Sequence, residues 1–133
     1  SIADNYNIKL DAEPAMILGE EQLLSEIISN LIDNAIKYNK PGTNILVRVK
    51  NKNNGVLLSV EDDGIGIEPK HHARIFERFY RVDKSHSRNT GGTGLGLSIV
   101  KNAAVLHNAK LGIESDIGKG CNIKIKFPPM QKA

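Results

Sequence analysis

A chain of 133 residues has room for one domain with a real hydrophobic core and not for two. With 40% hydrophobic and 25% charged residues, no apolar run near 18 residues and no basic-plus-apolar leader, it has the composition of a soluble globular protein that does not span a membrane. The net charge of +3 is mild, and the single Cys121 excludes an internal disulfide, which suits a reducing compartment.

Tyr6 to Asp11 alternates weakly and predicts a short strand. Ala15-Met-Ile-Leu18 is a second apolar run, ended by Gly19 and followed by the acidic helix start Glu20-Glu21. The longest helix then runs to about Asn39, stopped by Pro41-Gly42. Along it Leu24, Ile27, Ile28, Leu31, Ile32, Ala35 and Ile36 recur at helical spacing and fill an arc wide enough to lie against a sheet and another helix. Asn34 falls inside the edge of that arc. Asn30 and Lys37 sit beside it at i−4 and i+3, so the three form one polar stripe bordering the buried face. An unbonded amide buried there costs about 1–3 kcal/mol. One such Asn bonded to nearby backbone is ordinary; two with a Lys point towards a bound polar ligand.

Asn44 to Lys50 alternates cleanly, with Ile45, Val47 and Val49 on one face. Asn51-Lys-Asn-Asn-Gly55 is turn chemistry, and Val56 to Val60 is the returning strand of a hairpin. At its end, Glu61-Asp-Asp-Gly-Ile-Gly-Ile67 places two glycines where a tight turn or a close-lying flat ligand would need them. Pro69 starts a predicted helix from Lys70 to about Phe79, with Ile75, Phe76 and Phe79 as its packing side. Arg74, Arg78, Arg81, Lys84 and Arg88 follow within fifteen residues, offset only by Glu77 and Asp83. No aromatic-interleaved RNA motif or recognition-helix pattern accompanies them, so a phosphate-bearing small ligand fits better than nucleic acid.

Arg81 to Thr90 has no periodicity and reads as a mobile surface loop. Gly91-Gly-Thr-Gly-Leu-Gly96 then opens a helix through Leu97, Val100, Ala104 and Leu106, which offers backbone N–H groups to phosphate. Leu111 to Glu114 and Cys121 to Phe127 read as closing strands joined by a turn over Asp116 to Gly120. Two standard nucleotide patterns fail: Gly118-Lys-Gly120 is no Walker motif, and Gly92-Thr-Gly94-Leu-Gly96-Leu97 lacks the final glycine and the preceding strand of a dinucleotide fold. His71, His72, His86 and His107 lack the spacing and acidic neighbours of a zinc site and read as surface or packing histidines.

Four boxes remain in order: Asn30–Tyr38, Asp62–Ile67, Ile75–Arg81 and Gly92–Leu97. Their order closely resembles the catalytic ATP-binding domain of sensor histidine kinases, within the gyrase, heat-shock-90, histidine-kinase and mismatch-repair superfamily. The branch most similar contains phosphate-sensing and cell-wall-sensing kinases. Asn30-Leu-Ile-Asp-Asn34-Ala-Ile-Lys37-Tyr38 resembles the family's N box, Asp62-Asp-Gly64-Ile-Gly66-Ile67 its G1 box, Phe76-Glu-Arg-Phe79-Tyr-Arg81 its F box, and Gly92-Thr-Gly94-Leu-Gly96-Leu97 its G2 box. The resemblance implies an α/β two-layer sandwich, a mixed sheet of about five strands under three helices with a mobile ATP lid, filling residues 1–133 as one catalytic domain.

The resemblance also implies roles. Asp62 would accept a hydrogen bond from the adenine amino group, with Gly64, Gly66 and Ile67 close to the base. Asn34 would ligate Mg²⁺ through its carboxamide oxygen, a hard ligand suited to that ion. Asn30 would support the metal and phosphates; Lys37, Tyr38 and Arg81 would contact sugar or phosphates. Asn30, Asn34, Lys37 and Arg81 are thus the candidate catalytic set. Val82 to Gly91 would form the lid, while Gly92, Thr93, Gly94, Leu95, Gly96 and Leu97 would meet the phosphates. Two departures lie outside the boxes: His107-Asn108-Ala109 where the family often has His-Gly-Gly, and Cys121 where Thr or Ser is common. The first requires Asn108 to take any left-handed conformation.

The ATPases of the superfamily carry a water-activating Glu where this chain has Asn30, and Glu26 should lie about 6 Å further along the helix. Transfer to a histidine needs no such base, because a neutral imidazole attacks without a proton to remove, and phosphoryl transfer rests on positioning and charge neutralisation. The acceptor histidine, expected on a dimeric helical hairpin before an acidic residue and a Pro, has no counterpart here. The resemblance therefore implies a catalytic domain of a longer kinase, in the cytoplasm beneath a membrane anchor. Its partners would be that hairpin, in cis or trans, and a downstream response regulator, with dimerisation only through the missing domain and no nucleic acid. A stand-alone ATPase or serine kinase, and a silent nucleotide-binding scaffold, are the alternatives.

Overall fold

In the computed structural model, residues 5–82 and 95–130 are described. Five strands form one sheet: β1 (Asn7–Ala12), β2 (Asn44–Lys52), β3 (Gly55–Asp62), β4 (Lys110–Ser115) and β5 (Cys121–Phe127). Their spatial order is β1-β2-β3-β5-β4, with β1 parallel to β2 and every other pair antiparallel. Helices α1 (Glu21–Lys37) and α2 (Gly96–Leu106) cover one face of it. This is the two-layer sandwich with a mixed sheet of five strands.

The core follows from the alternation of the strands. Ile45, Val47, Leu58, Val60, Ile125 and Phe127 are buried on the helix-facing side. Ile27, Leu31 and Ala35 of α1 and Val100, Ala103 and Ala104 of α2 meet them. β1 is an exposed edge strand, and Leu10 is open to solvent. The hairpin forms because Asn53 and Asn54 both take positive φ (52° and 65°), the two-residue turn that matches strand twist. Asn108, at φ 55°, takes the left-handed position expected after α2.

One element differs from expectation. The stretch 70–79 is a 3₁₀ turn over Pro69–His71 followed by further turns, so among the described residues two α-helices and a short 3₁₀ turn stand where three helices were expected. Its N–H groups bond mostly to the third residue back, as in His72 to Pro69, Arg74 to His71 and Glu77 to Arg74. The apolar positions explain this: Ile75 and Phe76 are buried but adjacent, while Phe79 is 62% exposed at φ 65°. Two neighbouring side chains cannot give a short helix the apolar stripe that holds it against a core.

The ends of α1 are fixed by distant residues. Glu20, its N-cap, provides no side-chain cap, and its N–H donates to Nε2 of the buried His107 at 3.1 Å. His107 Nδ1, 2.7 Å from the Ala103 carbonyl, is therefore the protonated nitrogen. At the other end Asn39 Nδ2 donates to the Ala35 carbonyl at 2.8 Å, and the Tyr6 hydroxyl lies 2.9 Å from Ile36 O and 2.8 Å from Asn39 O. Orphan carbonyls of the last turn are thus satisfied.

Candidate functional site

Beside α1, at the pocket-facing ends of β3 and β5, lies a cavity of about 310 Å³. Asn30, Asn34, Lys37 and Tyr38 reach it from the border of the buried face of α1. Asp62 forms its buried end, with Gly66 and Ile67 beyond. Arg81 and Val82 close one side, and Gly96 and Leu97 open α2 on another. Gly64 and Leu95 do not line the cavity. Gly92, Thr93 and Gly94, and the expected lid apart from Val82, lie outside the described residues.

The two asparagines differ. Asn30 Nδ2 donates to the Glu26 carbonyl at 2.8 Å, the ordinary backbone partner of a boundary amide. No described residue hydrogen-bonds the Asn34 side chain, which faces the cavity half-buried. Among the described residues no cluster of His, Cys, Asp or Glu could by itself hold a metal. A single hard amide oxygen at a cavity fits an ion held mainly by phosphates and water.

Asp62 accepts from the Gly64 N–H at 3.0 Å. Burial pushes its carboxyl above the usual range, and the Asp63 charge adds to this; the Gly64 N–H, the Asn39 amide and the Cys121 N–H oppose it. The glycines of this loop make room for the protein's own chain. A Cβ on Gly64 would lie 1.8 Å from Asn39 Oδ1, and one on Gly66, at φ 78°, 1.8 Å from the Asp116 carbonyl. The loop is further held by Ile65 N donating to Asn39 Oδ1 (3.1 Å) and Ile67 N donating to Ser115 Oγ (2.8 Å).

Apart from Val82 of the expected lid, three lining residues, Asn39, Ile117 and Cys121, lie outside the four boxes. Cys121 lies outside them yet lines the cavity, because it pairs with Asp62 across β3 and β5. Its thiol is pushed up to about 12, first by burial and then by the Asp62 charge. Asn39, just past α1, links helix and loop; the close approach that Gly64 permits was its only trace in the sequence. Asp33, Ile65, Ile75, Tyr80 and Ile117 complete the wall. Glu26 is not part of it, so Asp33 and Asp62 are the carboxylates that reach the cavity among the described residues.

An α/β sandwich whose cavity is built from these boxes defines a class, and comparison with known proteins agrees. Residues 19–131 match the family described as histidine kinase-, DNA gyrase B- and HSP90-like ATPase, and the chain belongs to it, as an ATPase-type domain of the sensor histidine kinase kind. The phosphate regulon sensor protein PhoR of Pseudomonas aeruginosa is 48% identical over 134 residues, covering 100% of this chain and 30% of its own length. The sensor-like histidine kinase SenX3 of Mycolicibacterium smegmatis is 41% identical over 129 residues, covering 95% and 34%. The chain thus spans about a third of the length of these relatives. Among solved structures, the mycobacterial sensor histidine kinase MprB superposes with a TM-score of 0.82 at 30% identity, covering 96% of this chain and 85% of that one. Full-length ShkA in complex with AMPPNP gives 0.80 at 27% identity, covering 96% and 26%. Among the described residues no helix is long and apolar enough to cross a membrane.

Proposed function

We propose that this domain binds Mg-ATP in the cavity between α1, β3 and α2 and donates the γ-phosphoryl group to a histidine on a separate dimerisation hairpin, as one step of two-component signalling. The observation that carries the proposal is the convergence of Asn30, Asn34, Lys37, Asp62 and Arg81 on one cavity, with an amide, Asn30, at the position of a hydrolase's base. The AMPPNP complex of the structural relative ShkA supports the nucleotide.

Each residue has a task it can perform where it stands. The Asp62 carboxylate, at the buried end, accepts the adenine amino hydrogen and so selects adenine. Lys37 and Arg81, both at the cavity, would offset phosphate charge. Among the described residues no side chain caps the first turn of α2, whose N–H groups would meet the phosphates. Mg²⁺, held by the Asn34 amide oxygen and phosphate oxygens, would neutralise charge on the transferred group. Gly92, Thr93 and Gly94 belong to the same proposal through the resemblance of their box. The domain would work in the cytoplasm, where ATP is available, as the catalytic part of a membrane-anchored sensor kinase with a response regulator downstream.

The test mixes this chain with its phosphoacceptor hairpin as a separate polypeptide and labelled ATP. Acid-labile, base-stable label on the hairpin and none on this chain is the expected result. Transfer should be weak, because tethering normally supplies a high effective concentration. Acid-stable label would replace the proposal with a hydroxyl kinase, and rapid phosphate release without the hairpin would replace it with an ATPase.

A further inference from the structure

His71 and His72, which the sequence leaves as surface or packing residues, each hold a different wall of the cavity without lining it themselves. His71 Nδ1 lies 2.5 Å from the Tyr80 hydroxyl, and the two rings sit 5.9 Å apart at 49°. His72 Nε2 lies 3.0 Å from the Ile67 carbonyl. Ile67 and Tyr80 both line the cavity, Ile67 from the loop after β3 and Tyr80 from the segment running into Arg81 and Val82. The Arg74 guanidinium covers the Tyr80 ring at 4.6 Å and is itself paired with Glu77 at 3.2 Å.

Tyr80 needs such a hold. Phe79, immediately before it, has φ 65°, a left-handed conformation that a bulky side chain adopts only when its surroundings impose it. That reversal turns Phe79 out to solvent and Tyr80 inward. The Tyr80 backbone supplies only a long bond, its N–H to the Glu77 carbonyl at 3.3 Å. The ring packs against the core at its edge, and the hydroxyl bond to His71 and the Arg74 guanidinium over its face set its orientation. The 3₁₀ turn begun by Pro69 carries the two histidines in succession and sends one imidazole to each wall, so one short element is tied to both.

We infer that the His71–His72 pair is a positioning clamp for the nucleotide site, with His71 setting Tyr80, and through it Arg81 and Val82, in the geometry that receives ATP. The inference rests on the nucleotide-binding reading above. His71 does not itself line the cavity and acts through Tyr80, so it is a positioning residue and not a catalytic one.

A double-mutant cycle on ATP affinity tests it, using His71→Ala, Tyr80→Phe and the two combined, with His71→Gln as the conservative variant. Tyr80→Phe keeps the ring in the wall and removes only the hydroxyl. Each single change should weaken ATP by about three- to tenfold, the loss expected for one neutral hydrogen bond. The combination should be no worse than either alone, and His71→Gln should recover part of the loss. Thermal unfolding must show every variant fully folded at the temperature of the titration. A second readout is independent of nucleotide: the imidazole nitrogen resonances of His71 should shift in Tyr80→Phe while those of His107 do not. Wild-type affinity in His71→Ala, additive losses, or unmoved His71 resonances would each overturn the clamp while leaving nucleotide binding intact. A wild-type chain with no affinity for ATP would overturn both readings.

Discussion

Asn34 and Asp62 are the single residues at which the proposed function is most directly tested. Asn34 is the cavity-lining amide whose side chain has no described protein partner, so Asn34→Ala should leave the fold intact and remove the Mg²⁺-dependence of ATP affinity, read by titrating ATP with and without the ion. Asp62→Ala should weaken ATP and ADP by the same factor, about ten- to a hundredfold for a charge-assisted bond to a group common to both. Loss of ATP alone would move Asp62 to the phosphate end. Its raised pKa has a second consequence. The folded state holds the proton more tightly than the unfolded one, so this group's contribution is most favourable below its unfolded value and declines as pH rises through the folded value. Asp62→Asn should therefore unfold at a higher temperature than wild type near pH 8, and the gap should shrink as pH falls towards about 4, as followed by circular dichroism. Cys121, with its thiol near 12, should resist iodoacetamide at pH 8 until the chain unfolds; rapid labelling of the native protein would contradict its burial. Asp62 was legible because it sits in a motif. Cys121 was not, because nothing in the sequence says that its strand lies beside β3.

At the scale of elements, what was legible had a local cause. The hairpin showed itself through Asn53, Asn54 and Gly55, and α1 through its apolar period, overrun by two residues because Tyr38 and Asn39 leave the helix before Pro41. The segment 70–79 misled because its charge and its starting proline look helical, while its apolar residues are adjacent and not spaced by a turn. The ties between elements are long-range and so left no periodic trace. Asn39 joins the last turn of α1 to the loop after β3, donating to Ala35 O and accepting from Ile65 N. Asn39→Ala leaves both backbone groups unpaired and should cost about 1–3 kcal/mol, seen as a lower urea midpoint at unchanged slope. Asn39→Asp should recover only part of this, since a carboxylate still accepts from Ile65 but cannot donate to Ala35. His107 plays the matching part at the other end, tying α1 to the last turn of α2.

For the molecule as a whole, strand order was the missing information. A mixed sheet of five strands was readable from alternation and from the resemblance, but not that β5 lies between β3 and β4. That placement makes the last strand an inner one. It pairs on both edges, buries Ile125 and Phe127 completely, and brings Cys121 to the cavity. A chain ending at Gly120 should show no cooperative thermal transition, because β4 is left without a neighbour and the inner edge of β3 without its partner. A sharp transition in that truncation would show that the strands up to β3 suffice. The same placement bears on how the protein comes into being. A ribosome delivers α1, the hairpin and Asp62 first, so most of the cavity-lining residues are made long before the strand that pairs with β3. Until Phe127 has emerged, the nascent chain has α1 to cover the apolar faces of β2 and β3 but leaves the inner edge of β3 unpaired, a row of backbone groups open to pairing with another chain.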